Sequence, residues 1–202
     1  MIKLEFKVTF HTAYAVDQKE IVPGSSLKGL MLDAARDLGL TAPTLWPKAR
    51  AVFGGRAQKG DLAEPTGPTL PSPWSWSDLQ FPQQPTSNSR SRIRIDADTG
   101  TVVDGAIVQV NEFGEQGLTG IFTIEQTDLI PQIGDDSGLT EADHIAILEA
   151  TARTVTGLGE NRRRGLGWVS ITRADDDADI TTKLKQLACA IKKLRQAADG
   201  RI

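Results

Sequence analysis

The stretch Gly157-Leu158-Gly159-Glu160-Asn161-Arg162-Arg163-Arg164-Gly165-Leu166-Gly167-Trp168 organises the rest of the chain, and four of its glycines bracket three consecutive arginines. Glycine lets the backbone turn through positive φ and come within hydrogen-bond distance of a ligand. Arginine brings a permanent charge and forked donors that match phosphate oxygens. A helical pattern runs into the stretch, and a strand-like run over residues 168–172 leaves it. A cationic loop clamped between two regular elements suits the backbone of a polyphosphate chain. The same residues also suit a helix end followed by a solvated turn.

On the N-terminal side of this loop, residues 141–156 read as a helix capped by Thr140, with Ile145, Leu148, Ala152 and Val155 on one face. At the start of the chain, Ile2, Leu4, Phe6, Val8 and Phe10 alternate with polar residues, the period of a strand with one buried face. Residues 11–20 read as a loop. Pro23-Gly24 then breaks the chain, and Ser25 or Ser26 is placed to cap a helix that carries Leu27, Leu30, Ala34 and Leu38 at helical spacing and stops at Gly39. Lys28 falls in the first turn, where its charge opposes the helix dipole unless an anion sits there.

Residues 40–92 are poor in periodicity, with Trp46, Val52-Phe53-Gly54-Gly55 and Trp74-Ser75-Trp76 as apolar points in a Pro/Gly/Ser-rich stretch. Segment 81–92 reads as a polar, mobile loop. Arg90, Arg92 and Arg94 alternate, which places all three on one strand face as a basic stripe. Asp98-Thr99-Gly100-Thr101 is a turn signal and Val102-Val103 resumes a strand, so a hairpin is expected. Residues 106–110 and 120–125 read as further strands. At the C-terminal end, Asp179 is placed to cap a helix with Ile180, Leu184, Leu187, Ile191 and Leu194 on one face.

The net charge is −3, which argues against indiscriminate nucleic-acid binding, but the charge is unevenly spread. Arg153, Arg162, Arg163, Arg164 and Arg173 stand against Glu160 alone, ahead of Asp175-Asp176-Asp177 and Asp179. Screening confines each patch to about 10 Å, so a local basic site works on an acidic protein. Cys189 is the only cysteine, which excludes an intrachain disulfide and a cysteine-based zinc site. No apolar run approaches the ~20 residues of a membrane span, and a cytoplasmic location is expected.

The order strand, helix, hairpin, strand, helix, glycine loop, strand suits an α+β, ferredoxin-like fold, the topology of RNA-recognition domains. Ile21-Val22-Pro23-Gly24-Ser25-Ser26-Leu27-Lys28-Gly29 resembles the IPGSSLKG motif of the RAMP superfamily of CRISPR-associated proteins, and residues 157–167 resemble its glycine-rich loop. Val52-Phe53-Gly54, Arg92-Ile93-Arg94-Ile95-Asp96 and Glu112-Phe113-Gly114 are weaker matches in the same order. Within the superfamily the arrangement is most similar to the backbone subunits of type III effector complexes. The resemblance divides the chain into a ferredoxin-like domain over 1–173, with an insertion at about 40–120, and an acidic linker with a C-terminal amphipathic helix over 174–202.

The resemblance implies a subunit that stacks with other subunits, or with copies of itself, along a CRISPR guide RNA paired to complementary target RNA. The implied guide contacts are Ser25, Ser26, Lys28, Gly159, Arg162, Arg163, Arg164 and Gly165. The implied base-displacing thumb is the hairpin carrying Arg90, Arg92 and Arg94. Target cleavage in such proteins uses an aspartate between the first strand and the PGSSLKG helix, and Asp17 is the only aspartate there. A carboxylate beside the scissile phosphate binds a divalent cation, Mg or Mn, or helps activate the 2′-hydroxyl. A non-catalytic scaffold or capping subunit is the alternative, as is a guide-processing ribonuclease with His11 as general base. His144 has no partner legible in the sequence.

Overall fold

The computed structural model describes residues 2–16, 21–40, 46–55, 69–127, 139–160, 162–175 and 192. Strand β1 (Lys3–Phe10) is the centre of a four-stranded sheet. Its alternation works as the sequence implies. Leu4, Phe6, Val8 and Phe10 are at most 3% exposed, while Lys3, Glu5 and Lys7 face outward. Each buried side chain of this kind contributes about 1.5–3 kcal/mol by leaving water.

Helix α1 (Gly24–Asp37) follows, then α2 (Trp46–Phe53) and the short strand β2 (Trp74–Trp76). A hairpin of β3 (Ser87–Ile95) and β4 (Val102–Phe113) comes next, forming its own two-stranded sheet. Strand β5 (Thr119–Gln126), helix α3 (Glu141–Thr154) and strand β6 (Val169–Arg173) complete the domain. The main sheet runs β2-β5-β1-β6 with every neighbour antiparallel. With the hairpin and α2 set aside, the order is βαββαβ, the ferredoxin-like topology. The hairpin is thus an insertion between the second and third strands of the sheet.

Both long helices pack against one another and onto the sheet. Met31, Ala34 and Ala35 from α1 and Leu148 and Ala152 from α3 join the β1 side chains, Phe122 and Ile124 in one core. Phe6 lies directly opposite Phe122 in the register, and their rings stack at 5.3 Å. Such cross-strand aromatic pairs add to the burial term.

Several local expectations change. Helix α1 begins at Gly24 with Pro23 as N-cap and no side-chain cap, so neither Ser25 nor Ser26 performs that role. Both serines already lie inside the first turn, with their side chains exposed. The first amide is satisfied instead by Asp78, whose Oδ1 accepts from Gly24 N–H at 2.8 Å. Gly39, at φ 72°, ends the helix as expected, with its N–H bonded to Arg36 and that of Leu40 to Ala35. Helix α3 carries the Thr140 cap, in a reciprocal box with Asp143, but stops at Thr154, before the 156 expected.

Part of the stretch read as a mobile loop, residues 87–92, is ordered strand because β4 pairs with it along its length. Residues 102–103 and 106–110 belong to one strand, β4, whose register shifts between Ile93 and Ile95. Gly105, at φ 72°, sits in that irregular stretch. The expected C-terminal helix falls almost wholly outside the described residues. Among the described residues, no helix is long and apolar enough to cross a membrane.

Candidate nucleic-acid interface

The site is built on the loop that leaves β1. Read as plain loop from its sequence, residues 11–16 are a seam between two other parts of the chain. On one side Tyr14 exchanges backbone bonds with Phe113 at the base of the hairpin, at 3.0 and 2.7 Å. Its side chain is fully buried among Phe10, Phe81 and Phe113. On the other side, Ala15 and Ala13 carbonyls accept from Glu160 and Gly167 N–H groups, both at 2.7 Å. Thr12 Oγ1 accepts from Trp168 N–H at 3.0 Å, and His11 N–H donates to the Trp168 carbonyl at 2.8 Å. The signal for this seam was the chain's single tyrosine in the apolar run Ala13-Tyr14-Ala15-Val16.

The glycine loop is itself laddered. Leu158 N–H donates to the Gly167 carbonyl at 2.8 Å, and Val169 N–H to that of Thr156 at 3.0 Å. Leu158 and Leu166 are buried beneath it. Two glycines are required by the chain's own packing. A Cβ on Gly167, at φ 68°, would lie 1.8 Å from the Leu158 carbonyl oxygen, and one on Gly159, at φ 86°, 2.4 Å from that of Ala15. Neither distance admits a side chain. Close approach at these two positions is thus to backbone, whereas Gly165 faces open space.

The arginines form a 3₁₀ turn, Arg162–Arg164, at the crown of the loop. Arg162 and Arg164 are exposed, and among the described residues no carboxylate makes an ion pair with either. The Arg163 side chain is outside the described part. A groove of ≈ 1010 Å³ runs along the loop, lined by Thr12, Gly157, Glu160, Arg162, Arg164 and Trp168 among others. A second cavity of ≈ 600 Å³ adjoins it, with Val16, Ser26, Gly29, Leu30 and Asp33 in its lining. Gly159, Glu160 and Arg162 border both.

The residues of the PGSSLKG motif do not share one surface. Ser26 and Gly29 line the cavity that the glycine loop also borders, and Ser25 is exposed on α1 but lines neither cavity. Lys28 turns to another side of the helix, with Nζ 5.1 Å from the centre of the Trp76 ring. Half-burial there lowers its pKa, and the indole face offsets part of the desolvation.

The hairpin carries Arg90, Arg92 and Arg94 on one face of β3, and none of them lines either cavity. Arg90 Nε lies 3.1 Å from Oε1 of the buried Glu112, an ion pair without hydrogen-bond alignment. On the opposite face Ile93, Ile95, Val102 and Ile107 are all at least half exposed. At the tip, Asp96 Oδ1 accepts from the amides of Asp98 and Thr99, both at 2.9 Å, and from the Thr99 hydroxyl at 3.1 Å.

Other expected members of the basic cluster go elsewhere. Arg173 donates to Glu149 at 2.7 Å and to both oxygens of Asp175, so it is neutralised away from the groove. His144 does have a partner, since its Nδ1 accepts from Trp74 Nε1 at 3.1 Å. His11 Nε2 is 3.1 Å from Ser170 Oγ, and its ring lies 5.0 Å from that of Trp168. Asp17 lies outside the described residues. The chain reaches it from Ala15, which bridges Glu160, and from Val16, which borders the second cavity. Glu160 is the one carboxylate among the described residues of the larger groove. A single carboxylate beside two guanidiniums does not hold a divalent cation unaided.

A βαββαβ sheet with an inserted hairpin and a glycine loop crowned by arginines defines an α+β protein with an open cationic groove. The RAMP superfamily model matches residues 3–170, and the chain belongs to that superfamily. No curated protein matches it in sequence. Its fold is shared with a chain of the Type IV-B CRISPR Complex, at 14% identity and TM-score 0.54 over 88% of this chain and 92% of that one. It is similar also to a chain of the Type III-B Cmr-beta complex in its apo state, at 10% identity and TM-score 0.57, covering 87% of this chain and 98% of that one. A chain of Cmr-beta bound to cognate target RNA gives 10% and 0.55 over the same shares.

Proposed function

We propose that this chain is a guide-RNA-binding backbone subunit of a type III-like CRISPR effector complex, with the glycine loop and the outer side of α1 holding the RNA backbone. One observation carries this reading: Arg162 borders both the groove of the glycine loop and the cavity against Ser26. Residues of the two sequence motifs that flank the domain therefore line one cavity, and Arg162 borders it. Membership of the superfamily, and a fold shared with chains of CRISPR complexes, support the same reading.

In it, Arg162, Arg163 and Arg164 fork onto phosphate oxygens, and Gly165 leaves the crown of the loop open to them. Ser26 and Gly159 flank the track, and the hairpin with Arg90, Arg92 and Arg94 is the thumb that displaces a base. Other subunits, or further copies of this chain, extend the track. Asp17 holds the divalent cation and acts on a paired target RNA.

The test is to purify the chain from its native host, sequence the RNA that accompanies it, and assay the complex for target cutting. Recovery of guide RNA is expected. Asp17→Asn should abolish metal-dependent cutting and leave guide and target binding intact, since a group used only in the transition state lowers rate and not affinity. Full cutting by Asp17→Asn would leave a scaffold. Loss of guide maturation in His11→Ala would point to the processing enzyme instead.

A further inference from the structure

We infer that Trp168 is a stacking platform for an unpaired nucleobase of the bound strand, an inference that rests on the RNA-binding reading above. Trp168 is 59% exposed, and it lines the same groove as Arg162 and Arg164. Its position is fixed from two sides. Its backbone N–H donates to Thr12 Oγ1 at 3.0 Å and its backbone carbonyl accepts from the His11 backbone N–H at 2.8 Å. The indole is buttressed by the His11 ring, at 5.0 Å and 51°, and that imidazole is itself pinned 3.1 Å from Ser170 Oγ. Alternation explains the outward direction, because Val169 and Ile171 occupy the buried face of β6.

A large ring held in place yet left in water loses little conformational freedom when a ligand lands on it. The groove therefore offers a charged track for phosphates and one flat apolar surface beside it. That combination is what proteins use to hold single strands, where every base has a π-face to offer and sequence matters little. A continuous duplex keeps its base faces stacked on each other, so the ligand this surface fits is an unpaired nucleotide.

The experiment uses the full chain and two probes, a short oligoadenylate and an abasic ribose-phosphate chain of the same length. Trp168→Ala should weaken oligoadenylate binding by about 5- to 150-fold, the range for one stacked base. Trp168→Phe should retain most of the affinity, and neither variant should alter abasic binding or the salt dependence. Equal losses on both probes in Trp168→Ala would mean that the ring only props the loop, and would overturn the inference. So would an unchanged affinity for both. A wild-type chain that binds neither probe would overturn the RNA-binding reading and this inference with it. Wild-type binding to both probes alongside an inert Trp168→Ala removes the stacking role alone.

Discussion

The glycine loop and the β3–β4 hairpin are written in the same alphabet, three arginines among small residues and glycines of positive φ, yet they are held in opposite ways. The loop is cross-linked on both flanks to the seam at 11–16, and Leu158 and Leu166 lie buried beneath it. The hairpin is anchored at its base by Glu112, Phe113 and Gly114, but β3 is exposed at every residue except the half-buried Arg92. Its strands pair with each other and make no extensive contact with another described element. A two-stranded ribbon is marginal in water by itself. Arginines on a rigid loop can set affinity in a single chain, whereas arginines on an arm depend on what the arm meets.

The sharpest way to break this comparison is a pair of glycine substitutions with matched backbone angles. Gly167 at φ 68° and Gly100 at φ 67° demand the same left-handed conformation, but only Gly167 abuts backbone. Gly167→Ala should cost about 3 kcal/mol or more, combining backbone strain with a clash that cannot relax cheaply. Gly100→Ala should cost no more than about 1–2 kcal/mol, the intrinsic left-handed penalty. Urea unfolding of both variants measures the difference, and equal losses would erase the distinction between loop and arm.

The second comparison is electrostatic. Replacing Arg162, Arg163 and Arg164 by alanine should flatten the salt dependence of single-strand RNA binding by about 0.7 in log–log slope for each phosphate that is no longer neutralised. Replacing Arg90, Arg92 and Arg94 should change the slope less in the isolated chain, because Arg90 already faces Glu112. A larger effect from the hairpin triple would place the principal track on the arm.

The smallest effect concerns pH. Asp96 is held below the usual aspartate range by the Thr99 amide first, then by the Asp98 amide and the Thr99 hydroxyl. Because its folded pKa is the lower one, this stabilisation is fully present above the ordinary value of about 3.9 and is lost as pH falls through the folded value. Amide exchange at Thr99 should quicken, relative to its intrinsic rate, in that acid window, while Leu158 and Glu160, whose amides bond to backbone carbonyls, should not respond. Asp96→Asn should remove the dependence, and an unchanged acid response in that variant would assign it to another group.

The sequence by itself determined whatever depends on neighbours along the chain. The two-residue period of β1, the Thr140 cap and the Gly39 stop are local patterns, and the order of the elements read suited a ferredoxin-like fold although the sheet's second strand was not among them. Motif spacing likewise carried the superfamily. Only the tertiary structure decided which residues meet. Trp74–Trp76 is a strand because β5 pairs with it, and α2 arose in a stretch without a clear period. Asp78 caps α1 from far along the chain, Lys28 rests over Trp76 although its motif suggested a phosphate, and Arg173 is taken by Glu149 and Asp175. The seam at 11–16 joins the hairpin to the glycine loop through backbone bonds. Periodicity records only which face of an element leaves water. A hydrogen bond between distant residues uses groups that every sequence possesses, so it leaves no trace until the chain closes on itself.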